Sequence, residues 1–458
     1  MKASVILKDL APFVPALSRF EEPLDLNLVF SGHGKHLDCP TLRLTNHHGL
    51  MIAGEAALSN WDAGMDMYIY GKLGNLTMTK EGINVLMTNL TGKVPPILQR
   101  LDYIRFNGEA AGYLHDLTLT GLFHTGAGMV KTDVMMSIDE QSMSRTYSGS
   151  VASADLDLGK LLNQEKKFGK VDFNVELKGF NYKNRYPESY IKGIISSFEY
   201  SQYQYENIML DGVYKDGGFN GRLSMDDANG SVQIDGNFNV AKTIPDFNLK
   251  ASVKNLRPHD LHLSDKYENA SISLGLTADF TGKSIDDMNG RISLDSLQLN
   301  APDEGGCFLD NLTITAGQVS GEKELRINSS FMTAVIRGDY SYHTIPASVV
   351  KTVQRYIPSL LTIKDNMPEP HNNFQFDICL ENTEVLSKLF QIPLELYLPA
   401  SLKGYFNDGE EKLHVEGHFP EFRYNGTRYD SGVLFCENPS DRFKCSLRGG
   451  MPVSYTHL

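Results

Sequence analysis

The segment Gly230–Val240, GSVQIDGNFNV, sets Val232, Ile234, Phe238 and Val240 on every second position, with Gln233, Asp235, Asn237 and Asn239 between them. Successive side chains of a strand point to opposite faces, so this two-residue period describes a half-buried β-strand and excludes a helix. On the apolar side, where a packing side chain belongs, stands Gly236. The same arrangement recurs as Leu119-Thr-Gly121-Leu-Phe123, Leu210-Asp-Gly212-Val-Tyr214 and Ile336-Arg-Gly338-Asp-Tyr340. It returns in Leu402-Lys-Gly404-Tyr-Phe406 and Val415-Glu-Gly417-His-Phe419. A glycine inside a strand marks a bend or a close approach of backbone. The aromatic two residues on is expected to fill the space the glycine leaves. Six such sites spread along one chain point to a repeating architecture.

Alternation continues through Leu24–Phe30, Val134–Ile138, Val171–Leu177 and the run Ile272, Leu274, Leu276, Ala278 and Phe280. Turn signals such as YKDGG, MDDANG and APDEGG separate the runs, which gives about 25 strands. Helical spacing is confined to short pieces at 81–90, 154–164, 348–361 and 382–391, the last capped by Asn382 or Thr383. No linker or composition change divides residues 1–451. The expected fold is all-β: one continuous, elongated, curled (U-shaped) antiparallel sheet that forms an apolar groove, with a few short helices. Ordinary curled sheets in sandwich domains and a closed solenoid are the alternatives that the same alternation allows.

Net charge is −13 and no basic patch occurs, so the chain lacks what a nucleic-acid binder needs to displace counterions. Five scattered cysteines form no CxxC pair and cannot all pair within the chain. Cys436 and Cys445 can bridge in an oxidising compartment, but free thiols are the expected state. No apolar run is long enough to span a bilayer. MKASVILKDL opens like a signal peptide until Asp9 breaks the apolar stretch, so the chain as written is not expected to be exported. VSYTHL near the end matches the translation of a common transposon sequencing adapter. Residues 452–458 are therefore set aside, and the natural chain is expected to continue past Met451.

Catalytic signatures are missing: there is no G-x-S-x-G, P-loop, G-x-G-x-x-G or H-E-x-x-H. His414, Glu416 and His418 lie on a strand, where histidines four apart cannot share a metal, and a solvated outer face is expected. His33, His36, His47 and His48 fall in turn-like segments without a carboxylate set to complete a site. Neither an enzyme, a cofactor nor a metal site is expected. A polysaccharide-degrading β-helix would need a placed carboxylate pair, which the sequence does not offer.

Four segments carry a family resemblance: LKDLAPFVPAL (7–17), VPPILQRLDYIRFNGEAAGYLHDL (94–117), IPDFNLKASVKNLRPHDLHL (244–263) and INSSFMTAVIRGDYSYHTIPASVVKTVQRYIPSLL (327–361). In these the chain resembles the TamB family, the large periplasmic subunits of the translocation and assembly module, within the AsmA-like group of repeating β-groove proteins. The resemblance runs from residue 7 to about 435 and is one of pattern. It implies a long curled sheet anchored in the inner membrane, whose groove carries phospholipid toward the outer membrane and assists outer-membrane protein assembly. The inner-membrane anchor and the region that meets an outer-membrane barrel assembly partner have no counterpart here, as expected of an internal fragment. Val232, Ile234, Phe238, Val240, Ile272, Leu274 and Leu276 are the candidate groove residues. Gly121, Gly212, Gly236, Gly338, Gly404 and Gly417 are the strand-bend glycines. The second reading is a closed β-solenoid with a surface, adhesive or carbohydrate-binding role, for which Tyr200, Tyr203 and Tyr205 are the nearest thing to an aromatic ladder.

Overall fold

A computed structural model describes residues 2–10, 18–21, 23–139, 141–142, 144–181, 188–265, 268–302, 305–356, 372–390, 393–438 and 442–450. Strands take up 66% of the chain and helices 11%, so the fold is all-β, and the sheet is antiparallel and open. Contacts divide the chain into two compact units, Met1–Ala228 and Asn229–Leu458.

The first unit opens with β1 (Lys2–Ile6), β2 (Pro23–His33), β3 (His36–Thr45), β4 (Leu50–Ser59) and β5 (Tyr68–Thr79). It continues with β6 (Tyr103–Tyr113), β7 (Asp116–Thr125), β8 (Gly128–Ile138) and β9 (Arg145–Asp157). The last four strands are β10 (Phe168–Asn181), β11 (Glu188–Tyr200), β12 (Tyr203–Lys215) and β13 (Gly218–Asp227). Each strand pairs antiparallel with the next, so the unit is a long meander. Short helices lie in two of the connections: α1 (Lys80–Thr91) and α2 (Pro96–Gln99) between β5 and β6, and α3 (Leu158–Leu162) after β9.

Local chemistry fixes these helices. The Thr79 hydroxyl accepts from the Gly82 amide at 3.2 Å to start α1. Gly92 ends it in the left-handed conformation (φ 78°), returning its N–H to the Thr88 carbonyl. Ile83 of α1 is buried with Leu101, Ile104 and Ala127, and Met87, Leu98 and Leu161 close over that cluster. Lys160 ties α3 down by donating to Asp102 at 2.6 Å and to the Gly126 carbonyl at 2.9 Å. All three helices thus pack over one set of strand ends, around β5, β6 and β9.

The second unit begins with β14 (Gly230–Asn239), β15 (Asp246–Leu256), β16 (Ser271–Thr281), β17 (Asn289–Asn300), β18 (Cys307–Leu309) and β19 (Leu312–Val319). Then come β20 (Glu322–Ser329), β21 (Met332–Asp339), α4 (Ile345–Tyr356), β22 (Asn373–Leu380), α5 (Glu384–Phe390) and β23 (Leu394–Leu396). The described chain ends with β24 (Ala400–Asn407), β25 (Lys412–Tyr424), β26 (Thr427–Glu437) and β27 (Lys444–Gly450). This meander is interrupted twice: β17 pairs with both β18 and β19, and β22 skips to β24 while β23 joins β25. Asn372, fully buried, pins α4 to the strand ends. Its amide group donates to Ser348 Oγ at 2.6 Å and Thr344 Oγ1 at 3.1 Å, and its backbone N–H donates to Asp408 at 2.8 Å.

The helical pieces differ from expectation in their bounds. The 154–164 piece is helical only from Leu158; residues 154–157 complete β9, and the Asp157 carboxylate caps the helix by accepting from Lys160 N. The 348–361 piece begins earlier, at Ile345, and residues 357–361 lie outside the described residues, as do 391 and 452–458. α2 was not expected; Pro95 and Pro96 start it, with Pro96 at a first-turn position that needs no N–H.

The recurring glycines are sites of close approach. At Gly236 (φ 145°) a Cβ would stand 2.2 Å from the Asn248 carbonyl oxygen and 2.6 Å from Leu249 Cα. At Gly338 (φ 116°) it would meet the Asn373 oxygen at 2.2 Å. Rings lie over Gly121, Gly212 and Gly404, but they come from Phe106, Phe219 and Phe376 on neighbouring strands. Only at Gly417 is the covering ring, Phe419, the aromatic two residues on. Phe106 and Phe219 reach their glycines as diagonal cross-strand neighbours, whereas Phe376 stands directly opposite Gly404.

Gly236→Val is expected to lower stability by at least about 2 kcal/mol, because it combines a φ that side chains avoid with a carbonyl clash. Gly275→Ala, in the same unit, meets nothing closer than 3.7 Å and has ordinary φ. It should be neutral or stabilising by up to about 1 kcal/mol. Thermal unfolding followed by circular dichroism compares the two.

Candidate functional site

Antiparallel register places apolar positions opposite apolar positions across the whole first unit. One row begins Leu44, Ile52, Leu76, Phe106 and Phe123, and passes to Val130 on β8. Beyond Ser153 it continues as Phe173, Ile195, Ile208 and Met225. The adjacent row holds Leu42, Gly54, Leu73, Gly108 and Gly121, then Thr132, Val151, Val175, Gly193, Leu210 and Leu223. Neither row contains a Lys, Arg, Asp or Glu. Most of these side chains are half-buried rather than buried.

The opposite face has the reverse character. There Glu55, Lys72, Glu109, Thr120 and Asp133 stand side by side, followed by Ser150, Glu176, Lys192, Asp211 and Arg222. Mixed charge on one side and hydrocarbon on the other follow directly from the two-residue period.

Six of the seven candidate groove residues, all but Val240, fall on the apolar face of the second unit. Val232 and Leu274 share a row with Val253 and Leu297; Ile234 and Leu276 share the next with Ala251. Ile272 lies beside Leu256 and Leu299. Ile272 and Leu274 pack into clusters with Leu297, Leu309, Phe331 and Val385, under α5, while Val232, Ile234 and Leu276 remain half-exposed. Phe238 is 38% exposed, with its ring opposite Phe247, which stacks on Phe280 at 4.7 Å. Val240 departs from expectation. β14 ends at Asn239, whose side chain accepts from Ala241 N and Lys242 N, and Val240 lies in the resulting bend, 62% exposed.

Farther along, Met288, Ala316, Leu325, Tyr340, Phe374 and Phe406 form a buried cluster against which Ile345 and Val349 of α4 pack. Lys323 enters this side of β20 two positions before Leu325. Its ammonium lies 4.0 Å from the Tyr340 ring centroid and donates to the Tyr340 carbonyl at 2.8 Å. Burial pushes its pKa down.

A hollow of the second unit lies on the charged face. About 860 Å³ in volume, it is lined by Arg326, Arg337, Gln375, Asp377, Lys403 and Tyr405, with His414 and Glu416 at its end. Glu324 lies beneath, its side chain only 7% exposed, accepting from Arg337 Nε at 2.6 Å and Arg326 Nη2 at 2.9 Å. These hydrogen bonds, Arg337's first, hold the Glu324 carboxyl below its ordinary value. Of these residues only His414 and Glu416 stand out in the sequence, as a solvated outer face, and no local signal marks the hollow.

The remaining residues singled out in the sequence are dispersed. His36 bonds to Ser59 and Asp38, and His48 pairs with Glu81 at 2.7 Å. Among the described residues no group of three or more His, Cys, Asp or Glu could hold a metal ion. Tyr203 and Tyr205 meet edge to face at 4.8 Å within a cluster with Tyr200, Phe198 and Phe168, so they form a packed hairpin end. Cys436 and Cys445 face each other across β26 and β27 and form a disulfide, where free thiols were expected; Cys39, Cys307 and Cys379 are free. No helix among the described residues is long and apolar enough to cross a membrane. The chain matches no family model, no curated protein and no solved structure.

Ile234→Glu, on the half-exposed face, should fold with a loss near about 1 kcal/mol of burial. Phe406→Glu, at a side chain 1% exposed, should cost more than about 4 kcal/mol or prevent folding. Circular-dichroism melts of both variants check the contrast. For Glu324, a depressed folded pKa means its contribution is complete above the ordinary value of 4.5 and fades as pH falls through the lower folded value. Glu324→Gln should therefore flatten the acid limb of a stability–pH profile and cost about 1 kcal/mol at neutral pH.

Proposed function

We propose that this chain is a segment of a periplasmic lipid-transfer groove of the TamB, AsmA-like kind. In this reading its apolar face carries phospholipid acyl chains between the inner and outer membranes, in support of outer-membrane biogenesis and protein assembly. One observation carries the proposal: apolar rows, free of charge and only half-buried, run strand after strand through the first unit. An apolar surface of this extent needs a partner to cover it. Acyl chains suit it because they require no hydrogen bonds and each CH₂ removed from water contributes about 0.8 kcal/mol, or about 13 for a sixteen-carbon chain.

The Cys436–Cys445 disulfide is in keeping with an oxidising compartment such as the periplasm. The open sheet speaks against a closed solenoid, in which the same face would be fully buried.

Lipid extraction and mass spectrometry of the folded protein, expressed into the periplasm without residues 452–458, is the test. Phospholipid at several molecules per chain is expected, and Ile195→Glu with Leu210→Glu should lower that load while the sheet still forms. Folded protein that carries no lipid would overturn the proposal.

A further inference from the structure

The hollow on the charged face of the second unit is organised in two neighbouring rows. Register aligns Arg337, Gln375, Tyr405 and His414 in one, and Val335, Asp377, Lys403 and Glu416 in the other. Glu324 holds Arg326 and Arg337 by one edge of each guanidinium, and both arginine side chains remain about half exposed. Lys403 and His414 both engage Glu416 at 3.2 Å. Asp377 is exposed and makes no hydrogen bond or ion pair among the described residues. The cations Arg326, Arg337 and Lys403 are matched by Glu324, Asp377 and Glu416. A strongly charged ligand therefore gains little here.

Charge balance, planar donors and acceptors, and an open aromatic ring belong to a site for a neutral, hydroxyl-rich molecule. Tyr405 is 44% exposed and is held flat by stacking on His414, with ring centroids 5.5 Å apart and planes 19° apart. Such a fixed ring offers its face to the C–H side of a pyranose, while hydroxyls take the polar positions around it. From β20 to β25 the rows cross four strand spacings, about 19 Å at ~4.8 Å each. That repeat is close to the length of one sugar in an extended β-linked chain.

We propose that this face binds a neutral saccharide chain laid across the strands. Tyr405 stacks on one ring, and Arg337, Gln375 and Asp377 bond its hydroxyls. The site is independent of the lipid reading, since it uses the charged face of β20–β25 while that reading rests on the apolar rows of the first unit.

Titration calorimetry on the whole chain with chitotetraose, cellotetraose and maltotetraose tests it. Millimolar or tighter binding of at least one is expected, with little change as salt is raised. Tyr405→Ala should weaken it by up to about tenfold, and Asp377→Ala should weaken it less. Both positions are exposed, so a circular-dichroism spectrum should match the parent. Three outcomes would overturn the proposal: no binding of any of the three by folded protein, binding unchanged by Tyr405→Ala, or binding confined to an anionic polymer and lost at high salt.

Discussion

Antiparallel register is the constraint from which the rest of this structure follows. Along the two faces, apolar residues mostly stand opposite apolar residues and charged opposite charged or polar, as in Ile195–Ile208 and Lys192–Asp211 of β11 and β12. A slip of one residue would exchange the two faces throughout a strand. The sheet manages irregularity without that exchange. Bulges between Leu73 and Leu76, between Asp172 and Phe173, and between Gly275 and Leu276 absorb extra residues and return the strand to the same face. Hydrocarbon continuity over many strands is therefore a property of register, and no single residue carries it.

The glycines solve a second problem that register creates. Where a neighbouring carbonyl or ring approaches closely, as at Gly121 beneath Phe106 or Gly404 beneath Phe376, the apolar face has room for only one of two side chains. Glycine removes one, and the ring from the adjacent strand spreads over the gap. This couples strands more tightly than aliphatic packing alone, because each ring contacts backbone as well as side chain. The same glycine adds no hydrocarbon of its own, so the ring that covers it determines how apolar that spot is.

Period-two alternation made the strands and their two faces legible in the sequence, since it is a local property. So were the helices at α1 and α5, which have their own caps. What sequence could not supply is what register decides. It could not tell that Phe106 rather than Phe123 would cover Gly121, nor that Cys436 and Cys445 would be directly opposed. The 154–164 piece is helical only from Leu158, because pairing with β10 extends β9 to Asp157. Val240 continued the alternation in sequence, yet the Asn239 side chain bends the chain just before it. On the charged face, residues far apart such as Arg326, Asp377 and Lys403 become neighbours only once the strands are paired.

A two-residue period also lets one strand serve two surfaces with little interference. Phe376 packs on the apolar face, while Gln375 and Asp377, its neighbours in sequence, face the hollow. Their environments are separated by the thickness of the backbone, and each face can be changed with the other's contacts kept. The two faces differ in what they demand of their surroundings. The charged face satisfies itself by pairing, as at Glu324 with its two arginines. The apolar face cannot. In the first unit the helices cover one set of strand ends, and the rows between Val130 and Leu223 stay half-exposed. Water is a poor partner for a surface of that kind, and further protein side chains would need to come from outside the described strands. The physical pressure to cover the apolar face thus arises from the same alternation that makes the opposite face polar.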